Sequence, residues 1–164
     1  MIICLIAHLQ RKGCYLIHNY PEEVTEIRVD DKKCNSVFLG TFDFSQYKNL
    51  KRVVIGNDCY KHVRKVTLVG LSELESVVIG RNSFTKNKDG KYPNSSKRNR
   101  RFYLKNCPKL KSLKMGRFAF TDYSVVEIEN VNALQTIEMG VMSEWSNNFF
   151  YASLELKSDL VQIE

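Results

Sequence analysis

The sequence has no long apolar segment and no clear secretory signal. Its longest fully apolar run, MIICLIA at residues 1–7, is far shorter than the roughly 20 residues that a membrane-spanning helix needs. No basic segment precedes this run and no A-x-A-like cleavage site follows it, which argues against a signal peptide. We therefore predict a chain that does not span a membrane and that resides in the cytoplasm or the nucleus.

Paired metal-binding cysteines are also missing, because no C-x-x-C motif occurs among the five cysteines. An odd cysteine count without a signal peptide favours reduced thiols over a disulfide framework. No third group is placed in the sequence to orient a cysteine–histidine pair for nucleophilic catalysis. The local spacings that come nearest to a ligand pair are Cys4-x3-His8, Cys14-x3-His18 and Cys59-x2-His62. We expect no metal site at any of them.

Glycine motifs that hold phosphate are absent as well, since neither G-x-x-x-x-G-K-[S/T] nor G-x-G-x-x-G occurs. Carboxylates such as Glu127, Glu129 and Glu138 fall on outward positions of predicted strands. A solvated strand face explains them more simply than a general acid/base pair does. With no catalytic set in view, we predict that the chain is not an enzyme and needs no cofactor.

The composition is that of one folded domain whose basic character is concentrated in one segment. The 164 residues are 43% hydrophobic and 26% charged, which is enough apolar mass for a continuous core. Residues 86–101 (KNKDGKYPNSSKRNRR) hold seven basic residues and one acidic residue, and so carry +6 of the formal net charge of +7. The rest of the chain is therefore close to neutral.

A unit of about 24 residues repeats along the chain. Its clearest part is a heptad that occurs as LKRVVIG at residues 50–56, LESVVIG at 74–80, LKSLKMG at 110–116 and LQTIEMG at 134–140, with a fainter copy, VTEIRVD, at 24–30. The starts of these heptads are 26, 24, 36 and 24 residues apart. The long interval thus contains a 12-residue insertion, and that insertion coincides with the basic segment.

Apolar residues in each unit follow the spacing of β-strands, because they alternate with period two and the pairs are joined by three-residue steps. One unit shows this at Val66, Leu68, Leu71, Leu74, Val77 and Ile79. A unit this short buries its apolar face only against its neighbours, which predicts a solenoid. We expect an aromatic ladder through Tyr60, Phe84 and Phe120 that ends at Glu144. We also expect positive φ at the glycines that close the heptads, namely Gly56, Gly80, Gly116 and Gly140.

The heptad L-x-x-[V/L/I]-x-[I/M]-G, continued as G-x-x-[S/A]-F, and the YPEEVTEI phrase that starts at Tyr20 resemble leucine-rich repeats. The nearest varieties are the irregular repeats of about 22 to 24 residues, of the bacterial-surface type and the FNIP type. The resemblance covers roughly residues 20–156. It implies a mainly β, right-handed leucine-rich-repeat-like solenoid of about five to six 24-residue coils.

We predict a single repeat domain over residues 1–164. Residues 1–19 form its N-terminal cap, either as a short amphipathic capping helix or as a degenerate coil. Residues 20–156 form the repeats, with the basic insertion loop at 86–101, and residues 157–164 form a C-terminal closing segment. A coil end that stays uncapped would also permit self-association.

Stacked strands present one outward side chain per coil at each position that is not in the core. In the heptad the outward position is occupied by Arg28, Val54, Val78, Lys114 and Glu138. The matching position of the other strand is occupied by Asp43, Thr67, Tyr103, Glu127 and Glu155. Val54 and Val78 would form a small apolar patch with a charged rim, which suits a protein interface, although the preference of valine for strands also explains them. We predict a non-catalytic protein–protein interaction module whose partner the sequence does not identify.

The basic loop supports an alternative prediction, which is binding of nucleic acid or another polyanion. Closely spaced guanidinium groups neutralise several phosphates and release their counterions. The candidate residues are Lys97, Arg98, Arg100 and Arg101. A solvated excursion from one coil fits the same composition, because the loop has almost no apolar residue.

Overall fold

The computed structural model describes residues 5–9, 14, 21–86, 99–140 and 146–158. These residues form one 3₁₀ turn and eleven β-strands, and no α-helix occurs among them. In the same part of the chain there is no helix long and apolar enough to cross a membrane. In chain order the elements are β1 (Leu5–Leu9), the 3₁₀ turn (Pro21–Glu23), β2 (Val24–Val29), β3 (Thr41–Asp43), β4 (Arg52–Ile55), β5 (Lys65–Val69), β6 (Ser76–Ile79), β7 (Arg101–Lys105), β8 (Ser112–Met115), β9 (Val125–Glu129), β10 (Thr136–Met139) and β11 (Ser153–Lys157).

The strands build two parallel sheets. Sheet A has the order β1-β2-β4-β6-β8-β10, and sheet B has the order β11-β9-β7-β5-β3. From β2 onward, successive strands alternate between the sheets, so that each coil contributes one strand to each sheet. The predicted mainly β solenoid is therefore confirmed, and it makes about four turns. The predicted count of five to six coils is not confirmed.

The N-terminal segment contributes a strand to sheet A. Strand β1 pairs in parallel with β2, with Ala7 opposite Ile27. The alternative of a capping helix is therefore wrong for residues 5–9, which form a strand. A strand can hydrogen-bond to the open edge of β2, whereas a helix leaves the N–H and C=O groups of that edge unpaired.

A disulfide ties this end of the chain to the loop that follows β2. It joins Cys14 to Cys34, whose Cα atoms are 5.2 Å apart. The expectation of reduced thiols is therefore wrong for this pair. Counting cysteines along the chain missed it because the two residues meet only when neighbouring coils stack.

The core lies between the two sheets and is built of rows that run along the solenoid. The aromatic row is continuous, because the rings of Tyr60 and Phe84 stack at 4.9 Å between centroids and those of Phe84 and Phe120 at 4.8 Å. Phe149 extends the row, with its ring 5.2 Å from that of Phe120. The predicted end of the ladder at Glu144 is therefore wrong, because extra residues in the last coil shift the aromatic position to Phe149. Glu144 itself lies outside the described residues.

The last described coil is only partly covered. Leu134 and Ile137 are half-buried, and Met139, which continues the buried row of Ile55, Ile79 and Met115, is 44% exposed. Strand β11 also leaves Leu154 and Leu156 exposed. Of the predicted closing segment, residues 159–164 lie outside the part of the chain that the structure describes, so closure of this end stays a prediction.

The heptad glycines have a different role from the one expected. Positive φ occurs at Gly140 but not at Gly56, Gly80 or Gly116, and the chain turns instead at non-glycine residues. In three coils these are Asp58 and Tyr60, Asn82 and Phe84, and Phe118 and Phe120. Neighbouring backbones touch at the glycines, because a Cβ atom on Gly80 would lie 2.4 Å from the carbonyl carbon of Gly56. Glycine is therefore required at this position for close coil stacking.

We expect Gly80→Ala to lower the free energy of unfolding by about 2 kcal/mol or more, because the added methyl group meets backbone that cannot move away. Gly40→Ala is the matched control, since a Cβ atom there has no heavy atom within 4 Å. It should change stability by less than about 1 kcal/mol. Urea unfolding followed by circular dichroism measures both, and equal effects would contradict the close-contact role of Gly80.

Candidate protein interface

The register of sheet A places the predicted partner-binding residues side by side in one outward row. Arg28 lies opposite Val54, and Val54 lies opposite Val78. The row continues from Val78 to Lys114 and from Lys114 to Glu138. Alternate residues of these strands point into the core, so the row lies on the outer surface. We call the outward residues of β2, β4, β6, β8 and β10 the sheet A face.

The centre of the sheet A face consists of small side chains and is weakly polar. Val54 and Val78 are half-buried on adjoining strands, and Ser76 and Ser112 lie beside them in the neighbouring outward row. The heptad glycines follow at the carboxyl ends of β4, β6, β8 and β10. A surface of small side chains allows another molecule to approach the sheet closely.

A buried carboxylate organises one end of the face. Glu26 Oε1 accepts hydrogen bonds from Arg28 Nε at 3.1 Å and Nη2 at 2.7 Å. Its Oε2 accepts from Arg52 Nε at 2.8 Å and Nη2 at 2.6 Å. The Glu26 side chain is 3% exposed, whereas the side chains of Arg28 and Arg52 are 45% and 58% exposed. The carboxylate thus holds two guanidinium groups in fixed positions at the surface.

The ionisation of Glu26 depends on these two arginines. Burial of the carboxyl group acts to raise its pKa, but the hydrogen bonds and charges of Arg52 and Arg28 outweigh burial. The pKa of Glu26 is consequently lowered from its ordinary value of 4.5. At neutral pH the cluster carries two positive charges and one negative charge.

The other end of the face is also charged. Lys114 Nζ lies 2.9 Å from Glu138 Oε1, and both side chains are about half exposed. Sequence reasoning named Arg28, Lys114 and Glu138 but missed Glu26 and Arg52. Aligning VTEIRVD with LKRVVIG places Glu26 opposite Arg52, so the repeat itself contained the signal that identifies this pair.

The residues predicted for the basic loop do not form one exposed group. Lys97 and Arg98 lie outside the described residues. Arg100 is only 7% exposed, and its guanidinium donates to the carbonyl oxygens of Lys61, Val63 and Phe84 at 3.1–3.3 Å. Arg101 is exposed and begins strand β7, so the inserted loop ends before it.

The two free cysteines in the described part of the chain are core residues. Burial is the main cause that raises the pKa of both thiols, Cys59 and Cys107, to about 11. Each is therefore protonated at neutral pH and poorly suited to act as a nucleophile. Within residues 21–86, 99–140 and 146–158, no group of three His, Cys, Asp or Glu side chains is arranged to hold a metal ion.

No family model, curated protein or solved structure matches the chain. The relation to leucine-rich repeats thus stays a prediction from the heptads. The geometry of the sheet A face is the observation on which a function can be argued.

We expect Glu26→Gln to lower the free energy of unfolding at pH 7 by about 2 kcal/mol, because two charge-assisted hydrogen-bonded pairs are weakened. The lowered folded-state pKa of Glu26 contributes stability above about pH 4.5, and this contribution is lost as the pH falls through that pKa. The difference between wild type and variant should therefore shrink toward about pH 3. Urea unfolding across this pH range measures it.

The control for this prediction is Glu138→Gln, which removes an exposed ion-pair partner from the same face. It should leave the free energy of unfolding almost unchanged, because exposed ion pairs add little. A Glu26→Gln effect that is no larger than the control, or that does not vary with pH, would show that the buried carboxylate is not the organising group.

Proposed function

We propose that the chain is a non-catalytic protein–protein interaction module that binds its partner through the sheet A face. The observation that carries the proposal is the apolar pair Val54 and Val78, flanked by the Glu26 cluster on one side and the Lys114–Glu138 pair on the other. An apolar centre inside a polar rim is the usual anatomy of a protein interface.

The geometry of the face defines the kind of partner that fits. The small side chains project little from the sheet, so a flat or extended segment of a partner can contact Val54 and Val78. Arg28 and Arg52 are already held by Glu26, so little side-chain entropy is lost when a partner binds them. Their excess positive charge favours a partner with an acidic group next to an apolar one.

The leucine-rich-repeat-like architecture, which is inferred from the sequence, supports the same proposed function. A right-handed solenoid of the irregular 22 to 24-residue type presents repeated outward positions that vary without disturbing the core. Fold alone does not define function, so the proposal depends on the sheet A face rather than on the resemblance. We also propose that the module is not an enzyme, which the buried thiols of Cys59 and Cys107 support.

The compartment stays a prediction. The sequence analysis predicts the cytoplasm or the nucleus. The Cys14–Cys34 disulfide favours an oxidising compartment instead, since disulfides rarely persist where glutathione keeps thiols reduced.

Two further predictions are untested, namely self-association through the coil ends and polyanion binding through residues 86–101.

We expect Val78→Asp to abolish partner binding while the chain stays folded, because it places a charge in the apolar centre of the face without touching the core. Val69→Asp is the matched control, since Val69 is an outward, half-buried valine of strand β5 in sheet B. Affinity capture from an extract of the cells that make the protein, read by quantitative mass spectrometry, compares the two variants with wild type.

Proteins that bind the sheet A face should fall at least about tenfold with Val78→Asp, as expected for an interface centre, and remain with Val69→Asp. Circular dichroism confirms that both variants fold. The proposal is wrong if Val78→Asp captures the same proteins as wild type, or if both variants lose them equally.

A further inference from the structure

Cations crowd one part of the solenoid surface, around the buried Arg100. Arg100 Nη2 donates to the carbonyl oxygen of Lys61 at 3.2 Å, and the backbone N–H of Arg101 donates to the carbonyl oxygen of Arg64 at 2.8 Å. Lys65 lies opposite Arg101 across strands β5 and β7. We call the exposed side chains of this region the cationic surface, and they are Lys61, Arg64, Lys65, Lys86 and Arg101.

The electrostatics of His62 support this grouping. His62 is half-buried among these residues, and its pKa is lowered from 6.5. Burial is the largest cause, and the positive charges of Lys86, Lys61, Arg100 and Arg64 act in the same direction. Four cations from three segments of the chain therefore act on the His62 imidazole.

The cationic surface differs from other charged parts of the solenoid because, in the part of the chain that the structure describes, its five exposed cations are not ion-paired with carboxylates. Two carboxylates adjoin it. Asp122 Oδ1 lies 3.4 Å from Nη1 of the buried Arg100, and Asp122 Oδ2 accepts the backbone N–H of Lys86. Glu127 lies opposite Tyr103 on strand β9, and its charge acts on Arg101. Among the described residues, no carboxylate forms an ion pair with any of the five exposed side chains.

Cations elsewhere on the strands are neutralised by their neighbours. Lys105 lies within ion-pair distance of Glu127 and Glu129, and Lys157 lies 3.1 Å from Glu155. Like charges that are brought together without ion-pair partners repel one another, so their clustering favours an external polyanion. Residues of the solenoid itself would supply this site.

An aromatic ring lies next to the cations. Tyr103 is half-buried on the outer face of β7, and its hydroxyl accepts a hydrogen bond from Arg101 Nη1 at 3.2 Å. The Nζ atom of Lys65 lies 5.8 Å from its ring centroid. The Nζ atom of Lys105 lies 5.4 Å from the same centroid, but Glu127 and Glu129 already pair with it. An aromatic ring beside cations without ion-pair partners, here Lys65 and Arg101, is an arrangement that suits single-stranded nucleic acid, because phosphates pair with the cations and a base stacks on the ring.

We propose that the cationic surface together with Tyr103 binds single-stranded nucleic acid. Arg64, Lys65 and Arg101 contact the phosphates, and Tyr103 stacks with a base. The proposal rests on the alternative polyanion function predicted for residues 86–101, and it extends that function to the body of the solenoid. It is independent of the proposed protein interface, because strands β5 and β7 belong to sheet B.

The test is fluorescence anisotropy with a labelled oligothymidylate. Wild type should bind it, with affinity that falls at least about tenfold between about 50 and 200 mM salt. The double variant Lys65→Glu/Arg101→Glu should bind at least about tenfold more weakly. Lys109→Glu/Lys157→Glu is the matched control, since it changes the net charge equally at exposed, ion-paired lysines, and it should bind within about threefold of wild type.

Two further variants separate the parts of the proposal. Tyr103→Leu should weaken binding at least about fivefold while the salt dependence stays the same, because only stacking is lost. A chain in which residues 87–98 are replaced by a Gly-Ser turn should still bind, and its binding should still be lost with Lys65→Glu/Arg101→Glu.

Each failure has its own meaning. If Lys65→Glu/Arg101→Glu and the lysine control variant lose affinity for oligothymidylate equally, the proposed site is wrong. If the chain with the Gly-Ser turn does not bind while Lys65→Glu/Arg101→Glu still does, then the loop binds the polyanion and the solenoid surface does not. If wild type does not bind oligothymidylate at all, both the loop and the solenoid surface are wrong as nucleic-acid sites. Binding of heparin or anionic vesicles without oligothymidylate would overturn nucleic acid as the ligand.

Discussion

The structure depends on the close parallel stacking of one coil on the next. The apolar side chains of one coil are covered in large part by those of its neighbours, so a single coil has no sufficient core of its own. Backbone contact at the heptad glycines fixes the spacing, as Gly80 on Gly56 shows. The same spacing brings the rings of Tyr60, Phe84 and Phe120 into stacked contact. Met139 lies on β10, the edge strand of sheet A, and is exposed.

Stacking also generates the two outer faces, since residues one repeat apart become neighbours across strands. On sheet A the repeat aligns the small residues around Val54 and Val78 and places ion pairs at both ends of the row. On sheet B it aligns Lys65 with Arg101 beside Tyr103. One register therefore produces a small apolar centre with charged ends on sheet A and the cationic surface on sheet B, so that the two proposed activities do not compete for residues.

The solenoid and the outward row were predictable because they follow directly from the heptad register, which aligns Val54 with Val78. The features that were missed depend on contacts between residues far apart in sequence. Arg100 looks like part of a basic run, yet carbonyl oxygens of two other segments bury it. The Cys14–Cys34 bond and the stacking contact of Gly80 likewise arise only when coils meet.

The central claim is that this register places the sheet A row on adjacent strands. Cysteine pairing tests it, because residues opposite each other on neighbouring strands, about 4.8 Å apart, are within disulfide reach. In Val54→Cys/Val78→Cys, oxidation followed by peptide mass spectrometry should show a direct disulfide between the two positions. In Val54→Cys/Lys114→Cys, which spans two strands, it should not. Pairing in the second variant and not in the first would contradict the register and the face built on it.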